Sequence, residues 1–496
     1  MASSPTTPDI AIANLQATAL TARCLNAYFR LKQLKSLHDV LRSNSTAIKD
    51  AVKQDTHVSD EEATTEVALA LDVVREHYSS IDTKAELEAE YRVTKGQDAS
   101  DRRVPWGVAY IEAQRSHTPF FSVIVALGAA LVAGNCVALK LENNLRALPS
   151  LLRKLLNEAL ESDTFAVISS DPSEGSLAAC LQVFQEKHVS RPTYAHLVSP
   201  QSKVVAIVDR TADLASAAEQ LVTARFAFGG TSPYAPDIVL VNEFIKKEFL
   251  EHVIQHSIRF LAGSSSSTDR EPKKSSRVSK ALHSLSSSAS WTLHTITQGD
   301  AGAIVELSHL TNLPPKSHHP LFAISPITSL EHAISLVDED LDDQATLLSA
   351  YHFGTPSTGK YLSQFVSADS SFVNHIPFPL LLGPSGPSTH AIDTGKRYTS
   401  YQFTHPSPAY ITPPASQAAV SKVLTGKEDA RKASAELLSK ATQEIKEKKR
   451  AESIAIGYFE QGILLGLGVY AVPLLTCVGA SLFYGVRAGL RRWVYV

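Results

Sequence analysis

The sequence predicts an α/β chain of two doubly wound lobes, each with crossover helices on a parallel sheet, followed by one apolar helix at the C-terminal end. Three observations predict this. Apolar runs alternate between strand-like and helix-like periods from about Pro105, the same alternation resumes at Lys203, and the stretch from Gly462 to Val486 carries no charged residue. Strand and helix in close alternation imply parallel strands joined by helices, and a long uncharged run implies a membrane span.

Taken in order, residues 1–14 read as a flexible N-terminus. From about Leu15 to Tyr91, LKQLKSLHDVLRSNSTAIKDAVKQD and EEATTEVALALDVVREHYSSI space apolar residues three and four apart, which predicts a helical layer. WGVAYIEA then reads as a strand, FFSVIVALGAALVAGN as a buried helix ending at Gly134-Asn135, VALKLE as a strand and LPSLLRKLLNEAL as an amphipathic helix. The second lobe repeats the rhythm with KVVAIVD, ADLASAAEQLVTARFAF, DIVLVN and EFIKKEFLEHVIQHSIRFL. Residues 263–280, GSSSSTDREPKKSSRVSK, are Ser-rich and charged and read as a solvated loop. Residues 428–461 read as a charged helical linker.

The uncharged run of about 25 residues at 462–486 is long enough to cross roughly 30 Å of hydrocarbon. Lys446, Lys448, Lys449 and Arg450 precede it, Arg487, Arg491 and Arg492 follow, and Trp493 and Tyr495 are candidate interfacial anchors. Residues 487–496 form a short basic tail. A cytosolic body held by a single-pass C-terminal anchor, on the endoplasmic reticulum or another organelle surface, is the expected topology, since MASSPTTPDIAIANLQ has neither an apolar leader nor an Arg-rich amphipathic pattern. A helix buried in the soluble body is the competing reading.

With 496 residues, 44% of them hydrophobic and 20% charged, the chain can bury two or three lobes and is not a disordered composition. Its 47 basic and 50 acidic residues leave a formal charge of -3, which gives no field for a nucleic-acid backbone. Cys24, Cys136, Cys180 and Cys477 lack the spacing of a zinc site or a disulfide framework, and His318-His319 has no ligand-spaced carboxylate or cysteine beside it, so no metal site is expected. GLGVYA lies inside the apolar run and does not connect a strand to a helix, so it is not a dinucleotide fingerprint.

Five collinear stretches resemble the aldehyde dehydrogenase superfamily. TPFFSVIVALGAALVAGNCVALKLEN is similar to the family's proline, helix, AGN and VVLKPSE sequence, and KVVAIVDRTADLASAAEQLV to the strand and helix after ELGGK. ARFAFGGTSPYAPDIVLVN resembles the catalytic loop GQTC with its following APD, matched at Ala235, Pro236 and Asp237. HHPLFAISPITSLEHAISLVDE resembles the EIFGPV segment and its SLEEAI helix, and GPSGPSTHAIDTGKRYTSYQFTHPSPAY the GGVGNSGMG and FDTFSH ending of the class 3 and fatty aldehyde dehydrogenase branch. The resemblance runs from about Leu15 to Tyr410. It implies two Rossmann-like lobes with small oligomerisation strands, the first at 15–210 with the helical layer, the second at 211–395, and a return to the first lobe at 396–427. It also implies a dimer, either with a second copy or with a paralogue.

In that family a cysteine attacks the aldehyde, hydride passes to NAD(P), and a glutamate activates the water that releases the acyl group. Counting back from Ala235 places the cysteine position at Pro233, with Ser232 before it, and counting back from Lys203 places the glutamate at Ser199. The oxyanion-binding asparagine corresponds to Ser116 or His117, and His117 could still donate a hydrogen bond. Lys140 matches the lysine that holds the adenine ribose, while the glutamate that holds the nicotinamide ribose becomes Lys316 and the phenylalanine of EIFGPV becomes His318. The phosphate-binding FTGS loop has no counterpart in VFQEKHVSRPTYAHLVSP. Cys136, Cys180 and Cys477 fall in a turn, a helix and the apolar run, where they cannot replace the nucleophile.

The expectation is therefore a membrane-anchored pseudoenzyme that acts by binding, with lipid contact through 462–486. Two alternatives stand beside it: an oxidoreductase with an altered site that uses NAD or NADP on a long-chain or biosynthetic aldehyde, and a scaffold or regulatory partner of an active paralogue.

Overall fold

The computed structural model describes residues 7–262, 272–341, 346–426, 430–448 and 458–493. Two compact units divide the chain, Met1–Thr412 and Pro413–Val496.

The first unit opens with helices α1 (Pro8–Ala19), α2 (Ala27–Ser43), α3 (Ser45–Thr56), α4 (Asp60–Ser79) and α5 (Thr83–Glu90). Local sequence sets their starts: the Asn26 side chain accepts from the Tyr28 and Phe29 N–H groups, and Ser59 with Glu62 forms a capping box. Leu34, Leu37 and Leu41 of α2 and Ala63, Val67, Ala70 and Val74 of α4 form buried stripes at helical spacing. Residues 1–14 are not simply a flexible lead: from Pro8 they are helical, because Ile12 and Leu15 bury against the first sheet.

Strand β1 (Arg103–Pro105) precedes β2 (Val108–Glu112), α6 (Pro119–Ala133), β3 (Cys136–Lys140), α7 (Ala147–Ala159), β4 (Phe165–Ile168), α8 (Glu174–Leu177), β5 (Leu181–Phe184) and β6 (His196–Val198). The sheet runs β4-β3-β2-β5-β6, parallel throughout. Every residue of α6 from Phe120 to Ala133 is buried, which explains its lack of a polar face. Residues 185–195, which connect the parallel neighbours β5 and β6, contain no helix, although such a crossover ordinarily uses one.

The second lobe comprises β7 (Val204–Val208), α9 (Leu214–Phe226), β8 (Ile238–Asn242), α10 (Lys246–Leu261), α11 (Pro272–Ser286), β9 (Thr292–Gln298), β10 (Ala303–Ser308), β11 (Leu321–Ile327), α12 (Leu330–Asp340), β12 (Ser349–Phe353), α13 (Pro356–Phe365) and β13 (Ser371–Val373). Its order is β13-β12-β7-β8-β11-β10-β9, with only β9 antiparallel to its neighbour. Strands β7, β8 and β12 are buried at every position, so they read as unbroken apolar runs.

Two expectations change here. Because β7 sits inside this sheet, the lobe boundary drawn at residue 210 moves ahead of Val204. The Ser-rich segment is helical from Pro272, since Val278 and Ala281 form an apolar stripe packed on Ala303 and Leu321, while residues 263–271 lie outside the described residues. β14 (Thr404–Pro406) pairs antiparallel with β1, and the Asn135 amide donates to the Phe403 carbonyl at 3.0 Å.

The second unit holds α14 (Gln417–Leu424), α15 (Ala430–Ala441), α16 (Tyr458–Gly466), a π-helical turn at Leu467–Ala471, and α17 (Val472–Trp493). Within the segment expected to be a helical linker, α15 ends at Ala441, residues 444–448 are irregular and α16 begins at Tyr458; Lys449, Arg450 and Tyr495 lie outside the described residues. One stretch, Gly462–Leu490, is long and apolar enough to cross a membrane, with a mean hydropathy of 2.1. It runs past the expected end at Val486, because α17 continues through Arg487 without a break. Pro473 supplies no N–H to the Val469 carbonyl, and the wide turn lies around that carbonyl.

Candidate functional site

Four segments of the first unit converge where the two lobes meet: the turn before α6, the loop between α9 and β8, the approach to β11, and residues 379–398.

At the first, Thr118 takes a left-handed conformation with φ 37°, and its hydroxyl accepts from the Gly383 N–H at 2.7 Å. His117 is buried; its Nε2 lies 2.7 Å from the Leu381 carbonyl and its Nδ1 2.8 Å from the Thr231 hydroxyl. The carbonyl requires Nε2 to be the donor. Burial pushes the ring's pKa down to about 4, so it is neutral at physiological pH. The hydrogen bond that His117 was expected to offer an oxyanion is therefore committed to the protein. Ser116 is exposed and holds Glu186 through its hydroxyl at 2.6 Å and its N–H at 2.9 Å. The Phe120 and Phe121 N–H groups at the start of α6 donate to the buried Glu66 at 2.8 and 3.1 Å.

At the second, left-handed conformations at Phe228, Gly229 and Gly230 fold the chain tightly after α9. Ser232 is fully buried and its hydroxyl accepts from the Tyr234 N–H at 3.3 Å, a local turn contact. Pro233 is buried as well, and its carbonyl accepts from the Lys316 ammonium. The Tyr234 hydroxyl accepts from the Gly386 N–H at 2.8 Å, and its ring lies 5.3 Å from the Arg397 guanidinium.

Asp237 organises the charge beneath this loop. Its carboxylate accepts from the Val204 and Ser317 N–H groups at 2.8 and 2.9 Å and pairs with Lys316 at 3.2 Å and with Arg225 at 3.7 Å. Burial lowers the Lys316 pKa, against the pull of Asp237. Burial likewise brings Arg225 down to about 10. Arg225 also donates to the Ser317 carbonyl at 3.1 Å and to the His319 carbonyl. His318 has its pKa lowered by burial and then by Lys316.

The Ser199 hydroxyl donates to the Ser385 carbonyl at 2.7 Å and lies 3.4 Å from the Tyr398 hydroxyl. Ser199 and Tyr234 thus meet adjacent residues of one segment, Ser385 and Gly386. Tyr234, Tyr398 and Arg397 beside that segment are all buried. Within the first unit, Cys24, Cys136 and Cys180 belong to one apolar cluster of the first lobe; Cys477 belongs to the second unit.

Lys140 stands apart at the end of β3. It pairs with Glu112 at 3.1 Å and Asp171 at 2.5 Å, which occupy the ammonium a ribose would otherwise meet. The cavity beside it, lined by Arg115, Pro119, Lys140, Glu142 and Leu152, encloses about 40 Å³, well under the roughly 300–1,000 Å³ of ordinary ligand pockets. The helix-free connection from β5 to β6 presents no helix N-terminus to a pyrophosphate. These residues do not fit NAD(P) in the manner the resemblance implied. Among the described residues no group of three or more His, Cys, Asp or Glu could hold a metal ion.

Sequence reasoning missed Glu66, Arg225 and Arg397. Arg225 carried a signal, a lone cation in the otherwise apolar run LVTARFAF; Glu66 and Arg397 carried none, because their partners are distant in the chain.

A sequence model described as the aldehyde dehydrogenase family matches residues 2–183. The chain is 27% identical over 263 residues to aldehyde dehydrogenase family 3 member B1 of Rattus norvegicus, covering 50% of this chain and 56% of that protein. It is 26% identical over 254 residues to the Homo sapiens protein of the same name, covering 47% and 53%. The chain thus spans about half the length of the curated relatives it matches. Among solved structures, the substrate-bound state of Staphylococcus aureus AldH shares 18% identity with a TM-score of 0.62, covering 82% of this chain and 94% of that one. That likeness is one of fold.

Proposed function

From the premise that this chain belongs to the aldehyde dehydrogenase superfamily, in its class 3 branch, we propose that it is a non-catalytic member which works by binding at a membrane surface. One observation carries the reading: the position expected to hold the attacking sulfur is Pro233, buried, with its carbonyl tied to Lys316. A proline offers no nucleophile, and the nearest hydroxyl, on Ser232, has no basic partner among its hydrogen bonds. The loss extends beyond one atom. Ser199 stands where a general base is expected, and its hydroxyl is committed to a carbonyl. The neutral His117 is fixed between Thr231 and Leu381. The Lys140 ammonium is already paired with Glu112 and Asp171, and the β5 to β6 connection has no helix whose N-terminus could meet a pyrophosphate.

The apolar stretch Gly462–Leu490 supports a membrane anchor, with the body on the cytosolic side. A second copy or an active paralogue is the partner this reading implies, with the α/β body as the binding element.

The full chain purified in detergent tests the proposal. Calorimetry is expected to give no saturable heat with NAD or NADP, and a long-chain aldehyde with either cofactor is expected to give no rise in reduced nicotinamide absorbance. Saturable binding together with aldehyde-dependent reduction would establish instead an oxidoreductase with an altered site. Removal of residues 458–496 is expected to move the protein from the membrane to the soluble fraction on carbonate-washed vesicles; retention would discard the anchor.

A further inference from the structure

We propose that Cys24 and Cys136 are a thiol pair that a peroxide closes into a disulfide, clamping the N-terminal helix to the first sheet. Their sulfurs lie 3.7 Å apart although the residues are separated by 112 positions in the chain. Cys24 lies in the short turn Arg23–Leu25 that follows α1, and Cys136 is the first residue of β3. A disulfide bond of about 2.05 Å needs the sulfurs to approach by under 2 Å, which side-chain rotation can supply.

The backbone is already in place for it. A Cβ added at Gly134 would stand 2.8 Å from the Cys24 carbonyl oxygen, so the two segments touch because residue 134 has no side chain. The Arg30 guanidinium reinforces the contact by donating to the Val132 carbonyl at 2.7 Å. Around the sulfurs are Ile12, Leu15, Tyr110 and Ala138, an apolar cluster in which, among the described residues, the Cys136 thiol has the Cys24 sulfur as its hydrogen-bond partner.

The two thiols differ in role. The hydrogen bond from Cys136 lowers the Cys24 pKa against the effect of burial, and Arg23 and Arg30 add to the lowering. The same bond and burial push Cys136 up. Cys24, in the turn after α1 and 6% exposed against 0% for Cys136, is the sulfur a peroxide reaches first and the one that attacks. Its thiolate attacks one peroxide oxygen: the S–O bond forms, the O–O bond breaks, and hydroxide leaves and takes a proton as water. The Cys136 sulfur then attacks the Cys24 sulfenic acid: the S–S bond forms, the S–O bond breaks, and the departing hydroxide leaves as water with the Cys136 proton. Two thiols are oxidised by two electrons and one peroxide becomes two waters. A dithiol reductant reverses the bridge.

Cys180, in the same cluster, serves as the internal control, because its thiol donates to the Ser176 carbonyl at 3.5 Å and its sulfur faces the Gln16 amide instead of a second sulfur. The exposed Cys477 is removed from the readout by Cys477→Ser.

The test uses the full chain carrying Cys477→Ser in detergent, treated with hydrogen peroxide, alkylated and digested with trypsin without reductant. The peptide 24–30 is expected joined to the peptide 116–140, two hydrogens lighter than the sum of the two, in most molecules, and absent after dithiothreitol. In Cys24→Ser, Cys136 is expected to be recovered alkylated. A Tm several degrees higher in the oxidised chain than in the reduced one is the expected sign of the clamp. Recovery of both wild-type peptides alkylated, of Cys24 as a sulfonic acid, or of Cys24 joined to Cys180 would overturn the pair. A bridge without a Tm rise would overturn the clamp.

Discussion

The Lys316 ammonium lies 3.2 Å from the Asp237 carboxylate, and the Arg225 guanidinium stands 3.7 Å from the same group, so one buried anion serves two buried cations. Removing it leaves both without a counter-charge. Asp237→Asn is expected to cost about 3–5 kcal/mol, the range for breaking a buried pair from one side. Lys316→Met is expected to cost less, because Asp237 keeps Arg225 and the Val204 and Ser317 N–H donors. Urea denaturation of the two variants measures the difference; a loss in Lys316→Met as large as that in Asp237→Asn would contradict the role of Asp237 as the shared counter-charge.

Acid is expected to weaken the fold before the ordinary carboxylates titrate. Burial brings His77, His117 and His352 each down to about 4. Folded values below the unfolded value of about 6.5 mean that their contribution is complete above pH 6.5 and is lost as pH falls toward 4. Glu66 acts in the opposite sense: burial raises it to about 7, so its contribution is complete below its unfolded value and is lost as pH rises toward 7. Three groups outweigh one. Tm is expected to fall from pH 6.5 to 4.5, and more steeply in Glu66→Gln; a flat profile would contradict the buried, neutral histidines.

Adjacent glycines in the loop after α9 are expected to respond unequally. Gly229 and Gly230 have φ of 67° and 72°, but a Cβ at Gly230 would lie 2.7 Å from the Pro320 backbone while one at Gly229 meets nothing within 4 Å. Gly229→Ala should cost about 1 kcal/mol, the strain of a left-handed conformation. Gly230→Ala should cost clearly more, since backbone must move. Thermal unfolding of the two variants checks the order.

Restoring the lost groups is not expected to restore chemistry. A Pro233→Cys, Ser199→Glu chain should give no aldehyde-dependent nicotinamide reduction, because Lys140 remains held by Glu112 and Asp171 and the β5 to β6 connection remains without a helix. Turnover in that variant, followed by absorbance, would show that a nucleotide finds its place after all.

The sequence revealed most of what depends on local pattern. The fully apolar α6, the buried strands β7 and β8 and the long terminal helix were legible because a chain segment without a polar face must be surrounded by apolar atoms, of protein or of lipid. The Ser-rich segment concealed α11, since Val278 is the one residue of 263–280 among those described that joins the apolar side formed with Ala281, Leu282 and Leu285. The collinear resemblance named Ser199 and Pro233 as site positions, but nothing local foretold the Tyr234 hydroxyl on Gly386 or the Arg397 guanidinium beside its ring. Nor did spacing suggest Cys24 beside Cys136: a contact across 112 positions is made by tertiary packing. The boundary at residue 210 failed for a related reason, because a strand's sheet is decided by its neighbours and not by its own residues.

The π-helical turn at Leu467–Ala471 changes the rotational phase of everything after it. One extra residue in a turn shifts the azimuth of later side chains by roughly 100°, the step of one residue about a regular helix axis. On an unbroken rod Gly485 and Gly489 would stand roughly 140° around the axis from Gly462 and Gly466; the extra residue turns them back to roughly 40°, so the four glycines fall near one side. Inside a bilayer, the smooth side would continue from one leaflet into the other, and a neighbouring helix could follow it along the whole span without crossing over.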